Sequence, residues 1–283
     1  MNRNIATVLG CDNSYEEAKI VVFGAPFDST TSFRPGTRFA SSAVRNESYG
    51  LETYSPYQKK DLNDFPIFDG GDLELPFGNA QKAVEKIEDY TAKIIQDQKI
   101  PCMIGGEHLV TLGAVRAAVR SYPNLHVLHF DAHADLREEY LGETLSHATV
   151  MRRVWELTGD YHIHQFGIRS GCKEEFEWAP QHVCLHPFNL NGLTETLDLL
   201  AGVPVYLSID LDVLDPSVFP GTGTPEAGGI TFAELLLALM AVNTLNIIGC
   251  DLNELSPVYD PSGVSTATAC KLLRELLLGL AKK

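Results

Sequence analysis

The chain has 283 residues, of which 45% are hydrophobic and 21% charged, with a formal net charge of −15. This is the balance of an ordinary globular protein, and the net charge argues against a nucleic-acid surface, which would need a basic patch. The longest uninterrupted apolar run, Leu235 to Val242, is far too short to span a bilayer, and the opening MNRNIATVLGCDNSYEEAKI has no secretory apolar core, so a soluble, cytoplasmic protein is expected.

In chain order, strand-like runs alternate with helical patterns. KIVVFGAPFD is a short apolar run ended by Gly24 and Pro26. Asn79 can cap a helix from Ala80 to about Gln98, where Ala83, Val84, Ile87, Tyr90, Ile94 and Ile95 recur at helical spacing. IPCMIGGEH is a strand stopped by a Gly-Gly turn, and TLGAVRAAVRSY reads as the helix after it. LHVLHF is a strand before a long polar loop, followed by the helix HATVMRRVWEL and the alternating strand YHIHQFGIRS. VPVYLSIDLDV is a buried strand, and ITFAELLLALMAV a helix whose Thr231 and Glu234 fit a capping box. NIIGCDLNEL is a further strand, and STATACKLLRELLLGLAKK closes the chain as a helix with lysines at the end its dipole favours. No repeat or linker divides the sequence, so one domain is expected. The six cysteines form no C-x-x-C pair and read as reduced core residues.

Alternating strands and helices indicate a parallel sheet covered on both faces, with ligands bound beyond the carboxyl ends of the strands. The unusual polar residues fall at that edge. His108 follows MIGGE; Asp131, His133 and Asp135 follow VLHF; Asp210 and Asp212 follow VYLSI; and Glu254 follows IIGCDLN. If DAHAD and DLD are extended, alternate side chains share a face. Four carboxylates and two imidazoles exceed the four ligands of a typical zinc site, whereas bridging carboxylates and two ions account for the number. Two divalent ions would also cancel the four negative charges. Mn²⁺ or Mg²⁺ suits so many carboxylates and the imidazoles favour Mn²⁺, with Zn²⁺ and Fe²⁺ still open. Two ions about 3.5 to 4 Å apart can acidify a shared water, which points to metal-assisted hydrolysis of a substrate left open by these residues alone.

GGEH, FDAHADL, SIDLDVLDPSVFPGTGTPEAGG and DLNELSPVYD, in this order, closely resemble the ureohydrolase family of arginases and agmatinases, from about Val21 to the C-terminal helix. HADLREEYLGETLSH and SFRPGTRF look like the agmatinase branch. Arginases typically carry an Asn-containing segment after this HAD motif to hold the amino acid's carboxylate; Leu136, Arg137 and Glu138 stand there instead.

The resemblance implies a three-layer α/β/α domain with a mostly parallel sheet, two Mn²⁺ per chain and a trimer or hexamer. It implies one ion held by His108, Asp131, Asp135 and Asp210 and the other by Asp131, His133, Asp210 and Asp212. A hydroxide between them would attack the guanidinium carbon of agmatine, giving urea and putrescine, with Asp135 passing a proton, His147 shuttling protons or binding the intermediate, and Glu254 pairing with the guanidinium. The small cationic substrate could instead be aminopropylagmatine, guanidinobutyrate or arginine. A silent metal-binding relative and a one-metal deacetylase-like hydrolase are the other classes.

Other polar residues are assigned plainer roles. His162 and His164 lack neighbouring carboxylates, His126 and His129 belong to their strand, and His182 and His186 have no chemical context. Asp69 and Asp72 are read as a turn in preference to a support behind the site, Glu138, Glu139 and Glu143 as an exposed acidic loop, and Thr222, Pro225 and Glu226 as shaping the loop around the site.

Overall fold

The computed structural model describes residues 6–281. Its strands are β1 (Ile20–Gly24), β2 (Tyr54–Ser55), β3 (Lys60–Asp61), β4 (Ile67–Asp72), β5 (Ile100–Ile104), β6 (His126–Phe130), β7 (Ile163–Ile168), β8 (Cys184–Pro187), β9 (Pro204–Asp210) and β10 (Asn246–Asn253). Its helices are α1 (Ala40–Glu47), α2 (Ala80–Gln96), α3 (Val110–Ser121), α4 (Val150–Thr158), α5 (Lys173–Trp178), α6 (Leu193–Leu199), α7 (Phe232–Val242) and α8 (Val264–Leu280).

Eight strands form one sheet in the order β4-β1-β5-β10-β9-β6-β7-β8, and every pairing in it is parallel. Period-two alternation sends successive side chains to opposite faces. Ile20 and Val22 of β1 join a core with α1, α6, α7 and α8, while Val21 and Phe23 join a second core with α2, α3 and α4. Two apolar layers bury both faces, which gives the expected three-layer α/β/α arrangement.

Strand order places the site. The chain lays β5 beside β1, crosses over to β6 and builds outward to β8, then returns to fill the gap with β9 and β10. The four strands expected to deliver polar residues, β5, β10, β9 and β6, are therefore consecutive neighbours at the middle of the sheet, where the chain's direction of winding reverses.

The expected caps are present. Asn79 Oδ1 accepts the Lys82 N–H at 2.9 Å. Glu234 N–H donates to Thr231 Oγ1 while Thr231 N–H donates to Glu234 Oε2, the reciprocal pair that opens α7. The helix after Asn79 stops at Gln96, and Gln98 adopts a left-handed φ of 59° that the helix cannot continue through. The terminal lysines, Lys282 and Lys283, lie outside the described residues. All six cysteines are unpaired, four of them buried. Among the described residues no helix is long and apolar enough to cross a membrane.

One expectation is overturned. Asp69 and Asp72 do not form a turn; they belong to β4, an edge strand paired with β1. Asp69 is fully buried, and Arg45 of α1 donates to both of its oxygens at 2.8 and 3.0 Å and to Asp72 as well. The two glycines of FDGGD suggest a turn, but strand pairing and this ion pair decide the backbone.

Candidate metal centre

His108 lies four residues beyond β5, in the irregular segment before α3. Gly105 and Gly106 bring it there by close backbone approach: a Cβ on Gly106 would stand 1.9 Å from the Phe27 carbonyl oxygen, and one on Gly105 would stand 1.8 Å from Asn253 Oδ1. His108 Nδ1 faces three carboxylates, Asp131 Oδ2 at 3.0 Å, Asp135 Oδ2 at 3.1 Å and Asp210 Oδ2 at 3.4 Å. Beside them His133 Nδ1 lies 3.0 Å from Asp212 Oδ2 and 3.6 Å from Asp131 Oδ1. All six residues expected at the strand ends thus converge on one cluster.

They converge for a different reason from the extended alternation expected of them. The chain turns immediately after each strand: Asp131 Oδ1 accepts the His133 N–H, Asp210 Oδ1 accepts the Asp212 N–H at 2.9 Å, and Leu211–Val213 is a 3-10 turn. Asp135 (φ 55°) and Glu254 (φ 64°) both sit in the left-handed region, uncommon for residues other than glycine and often found at functional sites.

A cleft of about 230 Å³ opens over the cluster, lined among others by Asp135, Arg137, Tyr140, His147, Thr224 and Glu254. Glu254 is buried, and its Oε1 accepts the His108 N–H at 2.8 Å. His147 opens the turn before α4, with Nε2 3.2 Å from Ser32 Oγ and its ring edge-on to Tyr140. Glu138, Glu139 and Glu143 are exposed and stand outside this lining.

The donor set fits a cation. His108 Nδ1 is buried without a hydrogen-bond partner, although three carboxylates surround it. No lysine or arginine pairs with Asp131, Asp135, Asp210 or Asp212 among the described residues. Buried carboxylates crowded in this way need a counter-charge.

A model of the arginase family matches residues 18–279. The chain belongs to the arginase family. It is 50% identical over 273 residues to an agmatinase of Bacillus cereus, covering 95% of this chain and 94% of that one. An N(1)-aminopropylagmatine ureohydrolase of Thermococcus kodakarensis is 37% identical, covering 94% and 92%. The solved agmatine ureohydrolase of Thermoplasma volcanium superposes with a TM-score of 0.90 at 34% identity, covering 98% and 94%. As a member of this family the chain is a hydrolase acting on linear amidines.

Electrostatics in this arginase-family site follow from crowding. Without a cation, burial and then Asp212 and Asp131 push Asp210 well above the usual carboxylate range. Burial and then Asp131 raise Asp135 to about 7. Asp131 goes the other way: burial opposes ionisation, but the imidazoles of His108, His129 and His133 beside it outweigh burial and hold this carboxyl well below its ordinary range. Burial, followed by the proximity of His133, lowers His147 to about 4, so its imidazole is neutral at physiological pH.

Sequence reasoning missed the layer that orients these residues. His108 Nε2 lies 2.9 Å from Ser208 Oγ, and Ser208 donates to Asp251 Oδ1 at 2.7 Å. Asp251 is fully buried in β10 and also accepts from Thr111, Tyr206 and Asn253. His129 does more than fill its strand: its Nε2 lies 2.9 Å from Asp131 Oδ2, while Gln165 Nε2 donates to its Nδ1 at 3.0 Å. The available signal was polar residues inside otherwise apolar strands, since such groups are buried only with partners.

His126, His162 and His164 pack together; His126 stacks on His162 at 4.2 Å, and its Nδ1 lies 3.2 Å from His164 Nε2. His182 pairs with Asp160, and His186 stacks on Phe166. Arg169 donates to the carbonyls of Asp212 and Glu226, tying down the loop that includes Thr222 and Pro225.

Proposed function

We propose that this chain hydrolyses the guanidino group of agmatine, releasing urea and putrescine, with two Mn²⁺ per chain. His108, Asp131, Asp135 and Asp210 would hold one ion, and Asp131, His133, Asp210 and Asp212 the other. Such a pair would supply the charge that four aspartates require and would lower the pKa of a bound water toward neutrality.

The protein's own groups then divide the work. Glu254, fixed by the His108 N–H, presents a carboxylate that can accept two hydrogen bonds from the planar guanidinium. Asp135 takes the proton released as water attacks the guanidinium carbon and passes it to the nitrogen of the departing amine, which leaves as putrescine while the carbon stays with urea. His147, neutral and beside the cleft, exchanges protons with the reacting group.

The observation that carries this reading is the convergence of six histidine and aspartate side chains on one cluster at the middle of the sheet, under a cleft that Glu254 and His147 also line. Agmatine over arginine is supported by the similarity to Bacillus agmatinases and by Leu136, Arg137 and Glu138 standing where arginases typically carry an Asn-containing segment. One observation favours a second substrate. Arg137 lines the cleft, where it would attract the carboxylate of guanidinobutyrate; against that, it leans on the Tyr140 ring and its Nε lies 3.5 Å from Glu175.

Comparing kcat/KM of manganese-loaded protein for agmatine, aminopropylagmatine, guanidinobutyrate and arginine tests the assignment. Agmatine is expected to lead by about tenfold or more. A preference for guanidinobutyrate would transfer the role to Arg137 and overturn the agmatine reading.

A further inference from the structure

Residues 25–36 have no helix or strand to hold them, yet they supply one wall of the cleft through Ser32. What fixes them is Glu107, the residue before His108. Its side chain is fully buried and has no cationic partner among the described residues. Instead the carboxylate accepts the Thr30 N–H at 3.0 Å, the Thr30 hydroxyl at 2.6 Å and the Thr31 hydroxyl at 3.0 Å. Its own N–H donates to the Phe27 carbonyl at 2.8 Å, so one residue ties down both ends of the Phe27–Thr31 stretch.

The same stretch grips His147. Thr30 Oγ1, whose proton goes to Glu107, accepts the His147 backbone N–H at 3.2 Å. Two residues on, Ser32 Oγ meets the far end of the same side chain, Nε2, at 3.2 Å. The loop therefore brackets His147 at its main chain and at its ring. Donation to a carboxylate strengthens the hydroxyl oxygen as an acceptor, so Glu107 reinforces the His147 contact without touching it.

We propose that Glu107 is a positioning residue for His147, acting through the Thr30–Thr31–Ser32 bracket. The proposal rests on the reading of His147 as a group of the reaction. It gives a buried carboxylate outside the six-residue metal cluster a task, and it couples the segment before α1 to the chemistry. Thr30→Val keeps the shape of the side chain while removing both the link to Glu107 and the acceptor for His147.

The test compares Thr30→Val, Thr30→Ser and the unaltered protein with agmatine as substrate. Three readouts are taken: steady-state kinetics, manganese content, and the ¹⁵N resonances of the His147 ring in metal-free protein. Thr30→Val should lower kcat about 10- to 100-fold with KM within about twofold, keep its manganese, and shift or broaden the His147 resonances. Thr30→Ser, which restores the hydroxyl, should recover most of kcat and the original resonances. Normal kcat and undisturbed His147 resonances in Thr30→Val would overturn the proposal. So would loss of manganese in step with activity, since the loop would then act on the neighbouring His108. If the unaltered protein releases no urea from any guanidino compound, the functional reading fails, and the His147 resonances alone decide whether the bracket exists.

Discussion

Ser208 shows how much of this site depends on residues that would touch neither metal nor substrate. Its hydroxyl donates to Asp251 and so offers its oxygen to the His108 Nε2–H, which aims Nδ1 at Asp131, Asp135 and Asp210. Supporting groups of this kind typically hold a metal-binding histidine in the right tautomer and orientation. Ser208→Ala is therefore expected to weaken Mn²⁺ affinity about 10- to 100-fold with the fold intact, measured by competition against a calibrated chelating dye. Unchanged affinity would remove Ser208 from the account. At this scale the six cluster residues were legible because carboxylates and imidazoles stood just past apolar runs. Ser208, Gln165 and Glu107 were not, since a serine in a strand or an acid beside a glycine pair has many uses until its partner is located. Their partners lie far away in the chain: Glu107 meets Thr30 across 77 positions, and Ser208 meets His108 across 100.

At the seam of β6 and β7, His126, His162 and His164 pack together at the end of the strands remote from the cleft. Burial, and then the nearness of His126, His186 and His162, lowers His164 from its ordinary value to about 4. The unfolded chain takes up this proton near pH 6.5 while the folded chain resists it to about 4, so the unfolded state binds more protons between those values. Stability contributed by neutral His164 is present above pH 6.5 and is lost as pH falls toward 4. His164→Leu should gain on the unaltered protein over that interval by about 2 to 3 kcal/mol, read from urea-unfolding midpoints at matched pH values. A constant difference from pH 7 to pH 4.5 would contradict this. Elements of strong period, such as α2 and β9, were readable in outline. β4 was not, because its Gly-Gly pair outweighs the local signal and only Arg45 and the pairing with β1 make it a strand. The extended alternation assumed for DAHAD failed for a related reason: Asp131 and Asp210 fold back on their own backbones and turn the chain.

For the molecule as a whole, alternating strands and helices were enough to infer a parallel sheet with both faces covered. The order of the strands was not, since nothing local says that β9 and β10 return to the gap between β5 and β6. That return makes one centre from residues as far apart as His108 and Glu254. The sheet gathers carboxylates that repel one another without a counter-charge, so function and metal loading are expected to rise together. The most direct measurement strips the protein of metal, returns Mn²⁺ in steps and follows urea release from agmatine at each step. The account predicts no release from the stripped protein, then activity that climbs and levels off at about two equivalents per chain. Release that survives complete removal of metal, or none at any manganese load, would contradict it.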